Sequence, residues 1–127
     1  MTEVAWKSEP ENHDYPAAAS YLSLIAPDDL VGQLVKRLKK ASASRYKAKD
    51  ILRAAGLPLL DRDNPHVAAD LRKIAEAKEL SPVLLVRGDL TTGVHAQIAD
   101  GYHRVCASYH VDENTDIPCH IADIPRD

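Results

Sequence analysis

Two cysteines, Cys106 and Cys119, are all the chain contains, too few for a disulfide framework. Apolar stretches are short as well: none approaches the ~20 residues a helix needs to cross a bilayer, which excludes a spanning helix. The opening MTEVAWKSEPENHDYP lacks both a basic n-region and an apolar h-region, so no secretory leader is expected and a reducing cytoplasm is the expected compartment. Nor is there an excess of positive charge. A formal net charge of −3 and a pI near 6.0 exclude the uniformly basic surface of a general nucleic-acid coat, while a local basic patch stays open. No repeat, low-complexity tract or long linker interrupts the sequence.

What is present suits one compact domain. At 127 residues and 45% hydrophobic, the chain can bury one core but hardly two. Residues 1–13 are polar and acidic apart from Trp6 and read as a flexible N-terminal arm laid over the domain. Residues 14–127 then form the domain, with a helical part at 14–56 and a sheet part at 57–127.

In the helical part, Asp14 is a plausible N-cap for a helix carrying Ala18, Tyr21, Leu22 and Ile25 at helical spacing. Pro27 and Asp28 open a second helix with the stripe Val31, Leu34, Val35 and Leu38 and basic residues crowding its C-terminal end. After the Ser-rich break ASASR, YKAKDILRAAG predicts a third helix with Ala48, Ile51, Leu52 and Ala55 inward and Gly56 as its C-cap. Asn64 and Pro65 form an N-cap and first-turn pair for a fourth helix buried through Val67, Leu71, Ile74 and Ala75. Thereafter SPVLLVR predicts a buried strand, DLTTG a turn, VHAQIAD an alternating strand, GYHRVCASYH a helix and IPCHIADI a last strand. The expectation is an α+β fold in which a layer of three N-terminal helices packs on a small mixed sheet.

The run Asp100-Gly101-Tyr102-His103-Arg104 sits where a strand gives way to that helix. Unpaired N–H groups at a helix N-terminus attract anions, and glycine lets the backbone come close to one. Arg104 is suited to bidentate phosphate contact and His103 to donating a hydrogen bond or shuttling a proton. Asp100 is suited to holding Mg²⁺ or acting as a base. Tyr102, Val105, Cys106 and Tyr109 fall at i, i+3, i+4 and i+7 and should turn inward, leaving His103 and Arg104 toward a cleft or solvent. The competing reading is plain: Asp100 caps the helix, Gly101 turns the chain and Arg104 pairs with a surface acid.

The run from Asn64 to Arg87, the following hairpin, IADGYHRVCASY and the closing strand IPCHI together resemble the ParB/sulfiredoxin-like superfamily over about the last half of the chain. The matching pieces are Leu71, Ile74, Leu80 and Pro82, with Gly101-Tyr102-His103-Arg104. The resemblance implies a small mixed sheet whose Gly-x-His-Arg turn binds nucleotide phosphates through Gly101, Tyr102, His103 and Arg104. The nucleotide would be of the ATP, ADP or CTP type. Sulfiredoxins carry a catalytic cysteine where this chain has Tyr102, so that activity is not expected, and Cys106 should point into the core. Partition proteins of the family continue into a helix-turn-helix, whereas this sequence ends after the last strand. Their Asn-Pro-x-x-Pro-Arg box is echoed only by Asn64 and Pro65, with Arg62 the available substitute for its arginine. ParB-like free-serine kinases carry an Asp-Gly-x-x-Arg turn closest to residues 100–104. This makes phosphoryl transfer the most concrete activity, with Asp100 and His103 as catalytic candidates and Asp100 as a Mg²⁺ ligand. A second acid has no assigned place, and Asp61 and Asp63 qualify by position alone. The alternative function is a non-enzymatic module that keeps the fold and binds protein or nucleic acid.

Lys36 to Arg53 holds eight of the 16 basic residues against one acid, Asp50. The segment either extends a nucleotide or nucleic-acid surface, with Tyr46 for stacking, or is a solvated helix face with favourable dipole charges. His103 with Cys106, and Cys119 with His120, are poorly spaced for zinc. His95 and His120 are expected as half-buried strand residues, and Arg87-Gly88-Asp89 as a hairpin turn. An exposed apolar face on the first or second helix would support a homodimer.

Overall fold

The computed structural model describes residues 3–125. Its described residues form α1 (Asp14–Leu22), α2 (Asp28–Lys40), β1 (Ser44–Lys47), α3 (Ala48–Ala55), α4 (Pro65–Ala75), β2 (Val83–Val86), β3 (Gln97–Asp100), α5 (Tyr102–Val111) and β4 (Asp116–Ala122). The sheet is open and mixed, in the order β1-β4-β2-β3, with β2 parallel to β4 and the other pairs antiparallel.

Local chemistry explains most boundaries. Asp28 and Asp29 in the first turn of α2 and Arg37, Lys39 and Lys40 in its last turn both complement the helix dipole. Gly56, at φ +65°, ends α3 in a left-handed turn that lets Gly56 and Leu57 donate to the carbonyls of Arg53 and Leu52. Asn64 Oδ1 accepts the amides of His66 and Val67, and Pro65 takes the first position of α4.

Every residue of β2 is buried, because helices cover both faces of the sheet. Leu84, Val86, Ala99 and Ala122 meet Ala18, Leu22, Leu34 and Leu38 from α1 and α2 on one face. Val83, Leu85, Ile98, Ile117 and Cys119 meet residues of α3, α4 and α5 on the other. The expected three-helix layer is therefore divided: α3 crosses to the opposite face, since its apolar stripe packs with Val67, Ile74 and Val105.

Several expectations change in detail. Residues 44–47 are a strand, since backbone pairing with β4 overrides the helical tendency of YKAKD, and α3 begins only at Ala48. Of VHAQIAD, only Gln97–Asp100 is ladder-paired. Val94 meets Asp89 in an isolated bridge, and His95 is exposed outside any strand. His120 is 4% exposed, fully inside the core of its sheet face. Ala75 is exposed at the end of α4. Helix α1 stops at Leu22, three residues before Ile25, leaving Leu24 80% and Ile25 56% exposed. In the arm, Lys7 donates to the carbonyl of Leu80 and Leu80 to that of Ala5, and Trp6 packs against the core. Among the described residues, no helix is long and apolar enough to cross a membrane.

Leu84 is wholly buried in the central strand. Leu84→Ala is expected to cost about 2–5 kcal/mol, as a deleted side chain leaves a cavity in a rigid sheet. A denaturant midpoint that does not move would show that this face is not the stabilising core.

Candidate functional site

The turn from β3 into α5 is built around Gly101, at φ +112°. A Cβ there would stand 2.5 Å from Val83 Cγ1 and 2.9 Å from Arg104 Nη2. Any other residue would thus meet both backbone strain and a collision with the central strand. The missing Cβ faces the core, so the close approach that Gly101 permits is first of all that of β3 and α5 to β2. Unlike α4, α5 has no side-chain cap at its N-terminus, so the donors of its first turn keep their partial positive charge.

Arg104 Nη2 donates to Asp100 Oδ2 at 2.9 Å and to the carbonyl of Pro82 at 3.2 Å. Its Nε is buried with no partner. The side chain lines a cleft of about 590 Å³, together with Lys7, Asp14, Asp70, Lys73 and Ser81. Arg104 thus reaches the cleft expected for it but spends part of its guanidinium on the fold.

Two acids that carry no expected role at the turn flank this group. Asp14, expected to cap α1, instead lies inside its first turn behind the cap residue His13, 2% exposed, and accepts the amide of Glu11 at 2.9 Å. Its carboxyl also faces that of Asp100. Burial pushes Asp100 above the usual carboxylate range; Arg104 opposes the rise and Asp14 adds to it. Burial likewise raises Asp70 on α4, against the pull of Lys73, Arg104, His103 and His66. Asp61 and Asp63 are exposed in the loop before α4. Asp70 lies one turn along α4 from His66, and nothing in that spacing joins α4 to the turn. Asp14 is 86 positions from Asp100, and no local pattern joins them.

His103 stands beside His66, their ring centroids 4.7 Å apart. Each is the second residue of its helix, so α4 and α5 present adjacent imidazoles from their N-terminal turns. Burial lowers the His103 pKa, with His66 adding to the effect and Asp70 opposing it. Tyr102 packs partly against the core and donates its hydroxyl to the Pro58 carbonyl at 2.6 Å, which fixes the outer rim. Val105 and Cys106 are fully buried, as their spacing predicts. Glu11, His13 and Asp14, which line the same cleft, bring ligand atoms within 4.8 Å of one another. Glu11 is also paired with Lys7.

Chemically, the arrangement offers an uncapped helix N-terminus, two imidazoles, a partly engaged guanidinium and a carboxyl of raised pKa. No family model, curated protein or solved structure matches the chain.

Two consequences are measurable. Gly101→Ala should destabilise the fold by about 3 kcal/mol, from left-handed strain plus overpacking against Val83; an unchanged unfolding midpoint would contradict the geometry. A carboxyl with a raised folded pKa binds its proton more tightly when folded, so its stabilisation is complete below the unfolded value and fades as pH rises through the folded one. Urea midpoints of wild type and Asp100→Asn should therefore move in favour of the variant between pH 3 and pH 7. A constant difference would mean that Asp100 is not shifted.

Proposed function

We propose that this chain is a ParB/sulfiredoxin-like domain that binds a nucleotide by its phosphates at residues 100–104 and uses the bound nucleotide for phosphoryl transfer or hydrolysis. The reading rests chiefly on the pairing of His66 with His103 at two adjacent helix N-termini. Two imidazoles at that distance repel each other when protonated, and a phosphate between or beside them relieves that repulsion. Backbone amides of Gly101, Tyr102, His103 and Arg104 supply further donors, and Arg104 adds positive charge from the cleft side.

In this reading Asp100, with its raised pKa and its place beside Asp14, is the proton acceptor for an attacking hydroxyl, and His103 the donor toward a phosphate oxygen. The other role open to Asp100 is to hold Mg²⁺ together with Asp14, in place of accepting the proton, and the ion would neutralise phosphate charge when bound. The resemblance of the second half of the chain to the superfamily, with β3 running into a Gly-Tyr-His-Arg turn that opens α5, supports the assignment.

The test is a thermal-shift screen against ATP, ADP and CTP with and without Mg²⁺, repeated on His66→Ala and His103→Ala. These variants are better probes than Arg104→Ala, because Arg104 also holds Asp100 and Pro82. A nucleotide at ~100 times its Kd should add about 2.7 kcal/mol to the wild type and clearly less to either variant. The same nucleotide should raise the His103 titration midpoint seen by NMR. Absence of a shift with every nucleotide, or an equal shift in both variants, would remove the turn as a phosphate site.

A further inference from the structure

We propose that the cavity between α3 and the loop joining β2 to β3 is a binding site for an uncharged, apolar small molecule, separate from the turn at residues 100–104. The cavity measures about 520 Å³, within the roughly 300–1,000 Å³ of small-molecule sites. None of residues 100–104 lines it.

The floor of the cavity follows from the sheet register. Leu85 on β2 is paired with Ile98 on β3 and with Ile121 on β4, and residues paired across strands point to the same face. Three large aliphatic side chains thus stand abreast on the face that carries α3. Helix α3 supplies one wall through Ile51, Ala54 and Ala55. Alanine at 54 and 55 leaves room above the floor that a longer side chain would fill.

The other wall is the connection between β2 and β3. Adjacent antiparallel strands are commonly joined by about two to five residues, whereas all of residues 87–96 separate these two. The longer loop is nonetheless fastened. Asp89 and Val94 bond each other's backbone at 2.9 and 3.0 Å, and the Ala96 amide donates to the Ala54 carbonyl at 3.0 Å. The Asp89 carboxylate accepts the amide and hydroxyl of Thr91. A Cβ on Gly88 would stand 2.3 Å from the Val94 carbonyl oxygen, so glycine is what lets the loop close on itself. The His95 ring lies over Gly56, 3.0 Å from where a Cβ would be. These contacts tie the loop to the end of α3, and the cavity is a fixed feature of the fold.

The lining sets the chemistry of the ligand. Floor and helix wall are aliphatic, and the charged groups around them are already engaged. Arg53 pairs with Asp50 at 3.2 Å, while Arg87 pairs with Asp123 and bonds the Tyr46 hydroxyl. An ionic ligand would have to break one of these pairs to gain a partner, or carry its charge against aliphatic side chains. An uncharged apolar ligand bears neither cost and gains from the area it removes from water. Leu90 and Val94 line the opening while 98% and 52% exposed, which extends apolar surface outward from the apolar walls.

Indole, which is uncharged, is the first probe, with indole-3-acetate and tryptamine as the same ring carrying a negative or a positive charge. In an NMR titration of the full chain, indole should bind saturably and move the amide signals of Ala54, Leu85, Gly88 and Ile98, leaving those of Gly101 and His103 in place. Both charged analogues should bind more weakly, by roughly threefold or more. Ala54→Leu, which fills the cavity from an exposed helical position, should weaken indole binding by roughly tenfold. Val94→Asp, which sets a charge at the opening, should weaken it several-fold. Both replaced side chains are exposed, and circular dichroism checks that each variant keeps the fold. Sedimentation should show no dimer that Val94→Asp disrupts; such a dimer would put a second copy in the cavity and overturn the assignment. Absence of saturable indole binding, equal or tighter binding of a charged analogue, or unchanged affinity in both variants would each overturn it as well.

Discussion

Arg104 is the tie on which the local architecture depends. Its Nη2 joins the carboxylate at the end of β3 to the carbonyl just before β2, while its own backbone belongs to the first turn of α5. Three chain segments are thereby held at one point, in an environment partly screened from water, where a charge-assisted pair counts for more than on an open surface. Gly101 makes the tie possible, because only a residue without a Cβ brings α5 this close to Val83. Packing and ion pairing are coupled there: widening the turn would pull the guanidinium off both of its acceptors.

That tie also sets the electrostatics of the turn. Asp100 is held between an arginine and a second buried acid, and its raised pKa records that burial and Asp14 outweigh the pull of Arg104. A few residues along α5, His103 is pressed toward its neutral form by burial and by His66. An acid that keeps its proton unusually well and an imidazole that loses one easily thus stand at the same helix start. Such paired, opposite displacements accompany sites that handle protons or bind charged ligands.

Much of this was legible in the linear pattern. The stripe of α2, the Asn64–Pro65 start of α4, the Gly56 stop of α3 and the inward Val105 and Cys106 all follow from 3.6-residue spacing and from capping chemistry. Position 44–47 was misread as a break and a helix start because an edge strand takes its conformation from hydrogen bonds to β4, a partner some seventy residues away. His95 followed the apparent alternation of VHAQIAD, yet the ladder begins only at Gln97, where β2 supplies a partner. Asp14 looked like a cap because its sequence neighbours are helical, and its burial against Asp100 depends on α1 lying over β3.

Sequence alone determined the helix stripes and caps, the glycine turn into α5 and the crowding of basic residues between 36 and 53, because each depends on neighbours within a turn or two of chain. Tertiary structure decided the division of the helices between the two sheet faces, the strand character of β1, the acids beside Asp100, and the meeting of His66 with His103. Those depend on side chains and backbone groups far apart in sequence, and only the packing of helices on both faces of the open sheet brings them within a few ångströms.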